Sequence, residues 1–310
     1  MRAPTGDQYV ITRQTPAGEA EAVITQVAAS LRGYRVGGID LTEPYPEDST
    51  PPSGLGIVLV PWPNRVADGR WTLDGETQQL ALTEPDRDNA IHGLLRYAPY
   101  TLIDHADDTV ELAASVFPQL GYPFHLETSV RYALVDDGLT VTHTIVNVGA
   151  GRAPVAAGAH PYLKIGDVPT ADLTLRVDAA THFEVDDRLN VVAEHPVDGT
   201  EYDLRAGRRV GDLDLDDGWG SVRVVDGRSS HSLTAPDGRS VAMWGDAAVG
   251  WVQVYTSRSL KTPTAGEVAI AIEPMTAPTN GLNSGTGLTW LEPGERWSVS
   301  WGIRHEGFGA

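Results

Sequence analysis

The chain has no cysteine among its 310 residues. That excludes disulfides, zinc thiolate centres and a cysteine nucleophile. Positive charge is scarce: 23 Lys and Arg face 42 Asp and Glu, for a formal net charge of −19. A surface of that sign repels nucleic-acid phosphates and anionic membranes, so neither is expected as a partner. It also makes a strongly anionic substrate less attractive. No apolar run approaches the length of a membrane span. Met1 to Val10 lacks a basic patch followed by an apolar stretch, so no signal peptide is expected and a cytoplasmic location is. No HExxH, no His-x-His and no carboxylate cluster suggests a metal, so neither a metal nor another cofactor is expected. GxGxxG after a strand, GxxxxGK[ST] and GxSxG are missing too, which removes support for nucleotide binding and serine hydrolysis.

What is present is alternation. Hydrophobic residues make up 41%, and 33 Gly and 21 Pro are spread along the chain, a pattern of many short strands and tight turns. In TSVRYALVDDGLTVTHTIVNV, Val130, Tyr132 and Leu134 share one face. Asp136-Asp137-Gly138 supplies a turn, with Gly138 expected at positive φ. Leu139, Val141, His143 and Ile145 then alternate with threonines, which predicts a hairpin with one face toward a core and His143 inside it. The rhythm recurs at Leu173, Leu175 and Val177, at Val222 and Val224, at Val252 and Val254, and at Trp297, Val299, Trp301 and Ile303. A helical pattern is seen only weakly, around Glu19 to Leu31. The expectation is an all-β chain, residues 1–310 forming one domain of twisted antiparallel sheets packed face to face.

Four segments place polar side chains beside turn residues. Pro61-Trp62-Pro63-Asn64-Arg65 holds several donors after two prolines that favour an extended backbone. Asn89-Ala90-Ile91-His92-Gly93 and Gly158-Ala159-His160-Pro161-Tyr162-Leu163 each carry one histidine, which in isolation reads as structural. In Ile270-Ala271-Ile272-Glu273-Pro274, a carboxylate ends an apolar strand, a costly place for a charge unless it is paired or used.

Taken together and in this order, the four segments resemble the aldose 1-epimerase (galactose mutarotase-like) family. Its members resemble PxxNRVxxGRW, then NxxHG, then a central HPYF-like segment, then a late strand ending in Glu. The resemblance spans roughly Gly33 to Arg304 and implies a β-supersandwich with an open groove on one sheet. It implies that His160 is the catalytic acid and Glu273 the catalytic base. It further implies that Asn64, Arg65 and His92 hold the sugar, joined by Gln253 of a VQ-x-YT strand and by Asp216 or, one residue on, Asp217. Leu163 stands where the family has Phe, which implies a reshaped apolar wall. The late segment EPMTAPTNGLNSG is similar to the general aldose 1-epimerases rather than to galactose mutarotases in the narrow sense.

Anomer interconversion opens the C1–O5 bond, lets the aldehyde rotate and closes the ring on the other face. It needs a base for the O1 proton and an acid for O5, a pair that Glu and His supply without a cofactor. Proximity of opposite charges is expected to favour ionised Glu273 and protonated His160. Trp62, Tyr162 and Trp219 are candidate aromatic faces for the sugar. The expected partner is a small monosaccharide, and the expected assembly a monomer or homodimer. A hexose-6-phosphate 1-epimerase would need an Arg or Lys cluster for the phosphate. A non-catalytic carbohydrate-binding protein would not need both His160 and Glu273.

Overall fold

Period-two burial runs through the chain and builds two large antiparallel sheets. The structure, a computed structural model, describes residues 2–261 and 268–309. One sheet has nine strands, in the order Thr101–His105, Thr109–Val116, Leu126–Val135, Gly138–Asn147, Arg296–Glu306, Ser240–Asp246, Arg228–Thr234, Thr174–Val177 and Arg208–Arg209. The other has eight. Its central path runs Ala179–Val185, Asp216–Val222, Trp251–Ser257, Ala269–Met275 and Gly158–Ala159. A four-stranded sheet begins with Gln8–Thr15 and Gly18–Thr25. One apolar cluster joins the two large sheets, with Val130, Val141 and Ile303 from the first and Val252, Val254 and Ile272 from the second. This is the all-β sandwich that the alternation predicted.

The 128–148 hairpin forms, with Val135 opposite Gly138. The reason for the glycine differs from the expectation, since Gly138 is not among the residues at positive φ. A Cβ at Gly138 would lie 2.0 Å from the carbonyl oxygen of Ile303 on the adjacent strand. Close backbone approach, not turn geometry, requires glycine there.

The weak helical pattern over Glu19 to Leu31 is overturned. Gly18–Thr25 is a strand paired on both sides, and Ala20, Ala22 and Ile24 are its buried face. Alanine favours helix intrinsically, but an inward row of alternating apolar residues between two partner strands overrides propensity. Val224 also falls outside its expected strand, which ends at Val222 and leaves Val224 and Val225 exposed.

His143 is buried in the core and accepts a hydrogen bond from Trp301 Nε1 at 2.9 Å. Burial depresses it to about 4 from an ordinary 6.5. Between those values the unfolded chain binds more protons at this position than the folded one, so stability must fall as pH drops below 6.5 and level off below about 4. At pH 5 this single site costs about 2 kcal/mol. Urea unfolding at pH 7 and pH 5 should show a smaller acid loss for His143→Gln than for the parent. An equal loss in both would remove His143 from the account.

Candidate active site

Three adjacent strands place one side of the site. In Ala269–Met275, Ile270 and Ile272 face the main core, so Glu273 points to the opposite face. Gln253 is its cross-strand partner, and Asp216 lies opposite Tyr255 on the next strand. Alternation therefore puts Glu273, Gln253, Tyr255 and Asp216 on one surface. Gly218 sits directly opposite Gln253, where a Cβ would come within 3.1 Å of Gln253 Oε1 and 3.0 Å of Phe183. Gln253 Nε2 donates to Asp216 Oδ1 at 2.8 Å.

The other side comes from a short ribbon, Arg65–Ala67 paired with Asn89–Ile91. Just outside it, Asn64 and His92 both adopt left-handed backbone, at φ of +55° and +64°, and His92 N donates to Asn64 O. Such conformations cost energy in non-glycine residues and cluster where side-chain direction matters. His160 is pinned by its backbone: its N–H donates to Ile57 O and its carbonyl accepts from Gly56 N–H. Its ring stacks on Tyr162, with centroids 5.2 Å apart.

These seven side chains, Asn64, Arg65, His92, His160, Asp216, Gln253 and Glu273, line one cavity of about 260 Å³. His160 Nε2 lies 3.4 Å from Glu273 Oε1, with the two residues 5% and 2% exposed. The His92 and His160 rings meet edge-on at 5.4 Å. Glu273 Oε2, His160 Nδ1 and His92 Nδ1 have no hydrogen-bond partner among the described residues.

Burial dominates the electrostatics. It pushes the Glu273 carboxyl well above the usual carboxylate range; Asp216 adds to the rise and Arg65 opposes it. It pushes His160 down to about 4, with the residue's own backbone opposing the fall and Arg65 assisting it. His92 lies well below its ordinary value through burial, then through His160, Arg65 and Arg96. Burial thus works against the expected pairing of ionised Glu273 with protonated His160, and favours the neutral form of both groups in the free site.

Arg65 is held rigidly. It donates to Glu84 through Nε at 2.9 Å and Nη2 at 3.1 Å, and to Asp216 at 3.3 Å. Burial alone would lower the guanidinium, but bonds and charges from Glu84 and Asp216 hold it above its ordinary value. The Asp216–Asp217 ambiguity is resolved by the pleat. Asp216 faces this cavity, whereas Asp217 bonds His182 Nε2 at 2.8 Å and lines a separate one. Trp62 and Trp219 are core residues and Tyr162 backs His160; the aromatic side chain in the wall is Tyr255. Leu163 is packed in the main core and forms no part of the wall.

Sequence reasoning missed Glu84, Ser53, Ile91 and Tyr255, which also line the cavity; of Arg65, Arg70, Arg87 and Arg96, the arginines near the motifs, only Arg65 and Arg87 line it among the described residues. Tyr255 was within reach, since it is two residues from Gln253 on one strand and must share its face. Glu84 had no such signal, because it precedes a 3-10 turn, Pro85–Arg87, and meets Arg65 only in the fold. Glu84→Gln should leave Arg65 charged but loosely aimed. Sugar binding should then weaken by roughly 5- to 50-fold, the loss of about 1–2.3 kcal/mol of fixed geometry. Titrating a sugar into parent and variant tests this, and equal affinities would assign Glu84 to structure alone.

A β-sandwich with a buried imidazole–carboxyl pair in a polar cavity defines the class of protein. The chain belongs to the aldose 1-epimerase family, whose model matches residues 10–304. It is 31% identical over 281 residues to uncharacterized protein YihR of Escherichia coli strain K12, covering 90% of this chain and 88% of the relative. A galactose mutarotase of Rattus norvegicus is 30% identical over 166 residues, covering 49% of this chain and 45% of that protein. Among solved structures, the GalM/aldose epimerase homologue from C. elegans superposes with a TM-score of 0.82 at 18% identity, covering 97% and 99% of the two chains. A putative aldose 1-epimerase from Escherichia coli K12 gives 0.80 at 19% identity, with the same coverage. Among the described residues, no helix is long and apolar enough to cross a membrane.

Proposed function

We propose that this protein is an aldose 1-epimerase that interconverts the α and β anomers of a free aldose, with His160 and Glu273 as its acid–base pair. The observation that carries the reading is the 3.4 Å contact between His160 Nε2 and Glu273 Oε1, both buried in a polar cavity. The pair acts with one proton between its members. Moving that proton to His160 makes Glu273 the base for O1 and His160 the acid for O5; closure on the other face reverses both transfers, and the proton then passes back to Glu273. Asn64, Arg65, His92, Asp216 and Gln253 hold the sugar hydroxyls. At about 260 Å³ the cavity lies just below the usual range of ligand pockets, which favours one sugar ring over an oligosaccharide. Relationship to galactose mutarotases supports a hexose.

Polarimetry on freshly dissolved α-D-glucose and α-D-galactose, with and without protein, tests the reaction, and an unaltered rate with every pure anomer would overturn it. The same assay separates neutral sugars from their 6-phosphates. Glu84, Asp216 and Glu273 share the cavity with only Arg65 and Arg87, and both arginines are paired to Glu84. Neutral hexoses should therefore lead in kcat/KM by roughly tenfold or more, about 1.4 kcal/mol. A phosphorylated sugar leading by that margin would make this a hexose-6-phosphate 1-epimerase.

A further inference from the structure

His92, His160 and Glu273 are far apart in sequence, and no short motif joins them. In the fold, one ligand-type atom from each lies within 4.8 Å of the others. Two imidazoles and a carboxylate are a donor set for zinc and its first-row neighbours, not for magnesium or calcium, which take oxygen. Zinc bonds nitrogen and carboxylate oxygen at about 2.0–2.2 Å, so the edge of a tetrahedral site is about 3.4 Å. The His160–Glu273 contact already has that length, at 3.4 Å. With every pair of donors within 4.8 Å, reaching a 3.4 Å edge shortens any one separation by at most about 1.4 Å.

A second observation points the same way. Glu273 Oε2 is buried and has no hydrogen-bond partner among the described residues. We propose that these three residues form a site for a divalent transition-metal ion such as zinc, which acts as an inhibitor by occupying the acid–base pair. The metal is no cofactor here, because it takes the electron pairs that proton transfer needs. His160 Nδ1 has no partner among the described residues to orient and strengthen the ring as a ligand. Affinity should therefore be lower than at a structural zinc site.

Binding by itself does not depend on the proposed reaction; inhibition does. The test uses the full chain, stripped with EDTA and titrated calorimetrically with chelator-buffered zinc. A parallel titration with cobalt reads four-coordinate binding from its visible absorption. One equivalent should bind, and His92→Asn and Glu273→Gln should each weaken it by ~tenfold or more. His195→Gln removes a surface pair with Glu184 and should change nothing. Magnesium at equal concentration should not compete. With the parent, zinc should raise the apparent KM for the sugar, and EDTA should reverse the effect. Circular dichroism confirms the fold of each variant, and Glu273→Gln alone is decisive if His92→Asn does not fold. Zinc binding that survives Glu273→Gln, or no binding by the parent, overturns the site. Binding without anomerase activity leaves the site standing and removes the proposed function; activity without binding does the reverse.

Discussion

Glu273→Gln is expected to lower kcat by ~10²–10⁴ while the protein stays folded. The two halves of that expectation have one cause. The carboxyl is buried beneath the cavity and pushed well above the usual carboxylate range, so the free site holds it neutral. An amide has nearly the same shape and the same lack of charge, and it should cost the fold little. What it cannot do is release and regain a proton. The rate of anomer exchange should collapse while sugar affinity changes little, because most hydroxyl contacts come from other residues. Polarimetric kcat and the urea midpoint, measured together, check both halves. A variant with near-parent kcat would show that Glu273 is not part of the proton relay.

His160→Gln and His92→Gln should fail in different ways. Loss of His160 removes a group used only as the bond breaks, so kcat should fall by ~10²–10⁴ with little change in KM. His92 stands edge-on to His160 and on a left-handed backbone, a posture that suits it to holding a hydroxyl. Its loss should raise KM roughly fivefold, about 1 kcal/mol. The pH profile supplies a second discriminator. The pair works with one proton, so activity must fall as His160 gains a second, near 4. It must fall again where the pair loses its last proton, well above the usual carboxylate range. An ionised Glu273 beside a protonated His160, as expected from proximity, would make histidine the alkaline group, and burial exchanges the two limbs. An alkaline limb near 6.5, the ordinary histidine value, would restore the earlier assignment.

Much of this site was legible as separate motifs because each is held by local chemistry. Prolines mark the chain beside Asn64, His160 and Glu273, although Glu273 and Pro274 lie within the strand Ala269–Met275 rather than at its end, and alternation fixes which residues of a strand share a face. Register was not legible. That Gln253 lies beside Glu273 and Asp216 opposite Tyr255 depends on pairing between strands far apart in sequence. Glu84 was hidden for the same reason, since an exposed loop glutamate and a buried partner of Arg65 look identical in one dimension. Protonation was misjudged because proximity can be inferred from motifs, whereas desolvation requires knowing what covers them. In the sheets, the alanines of Gly18–Thr25 misled through propensity, and Gly138 through turn chemistry when its neighbour was the constraint.

The cavity draws its walls from residues as far apart in the chain as Ser53 and Glu273. Its parts are therefore brought together by contacts of high sequence separation, the kind whose loop-closure entropy must be met before they stabilise anything. Local hairpins such as 126–147 can form early, but they contain none of the polar lining. The proposed acid–base pair is complete only once the late strand Ala269–Met275 has joined the sheet. A nascent chain that has not yet released that strand from the ribosome carries His160 and the ribbon of Arg65–Ala67 and Asn89–Ile91 without Glu273.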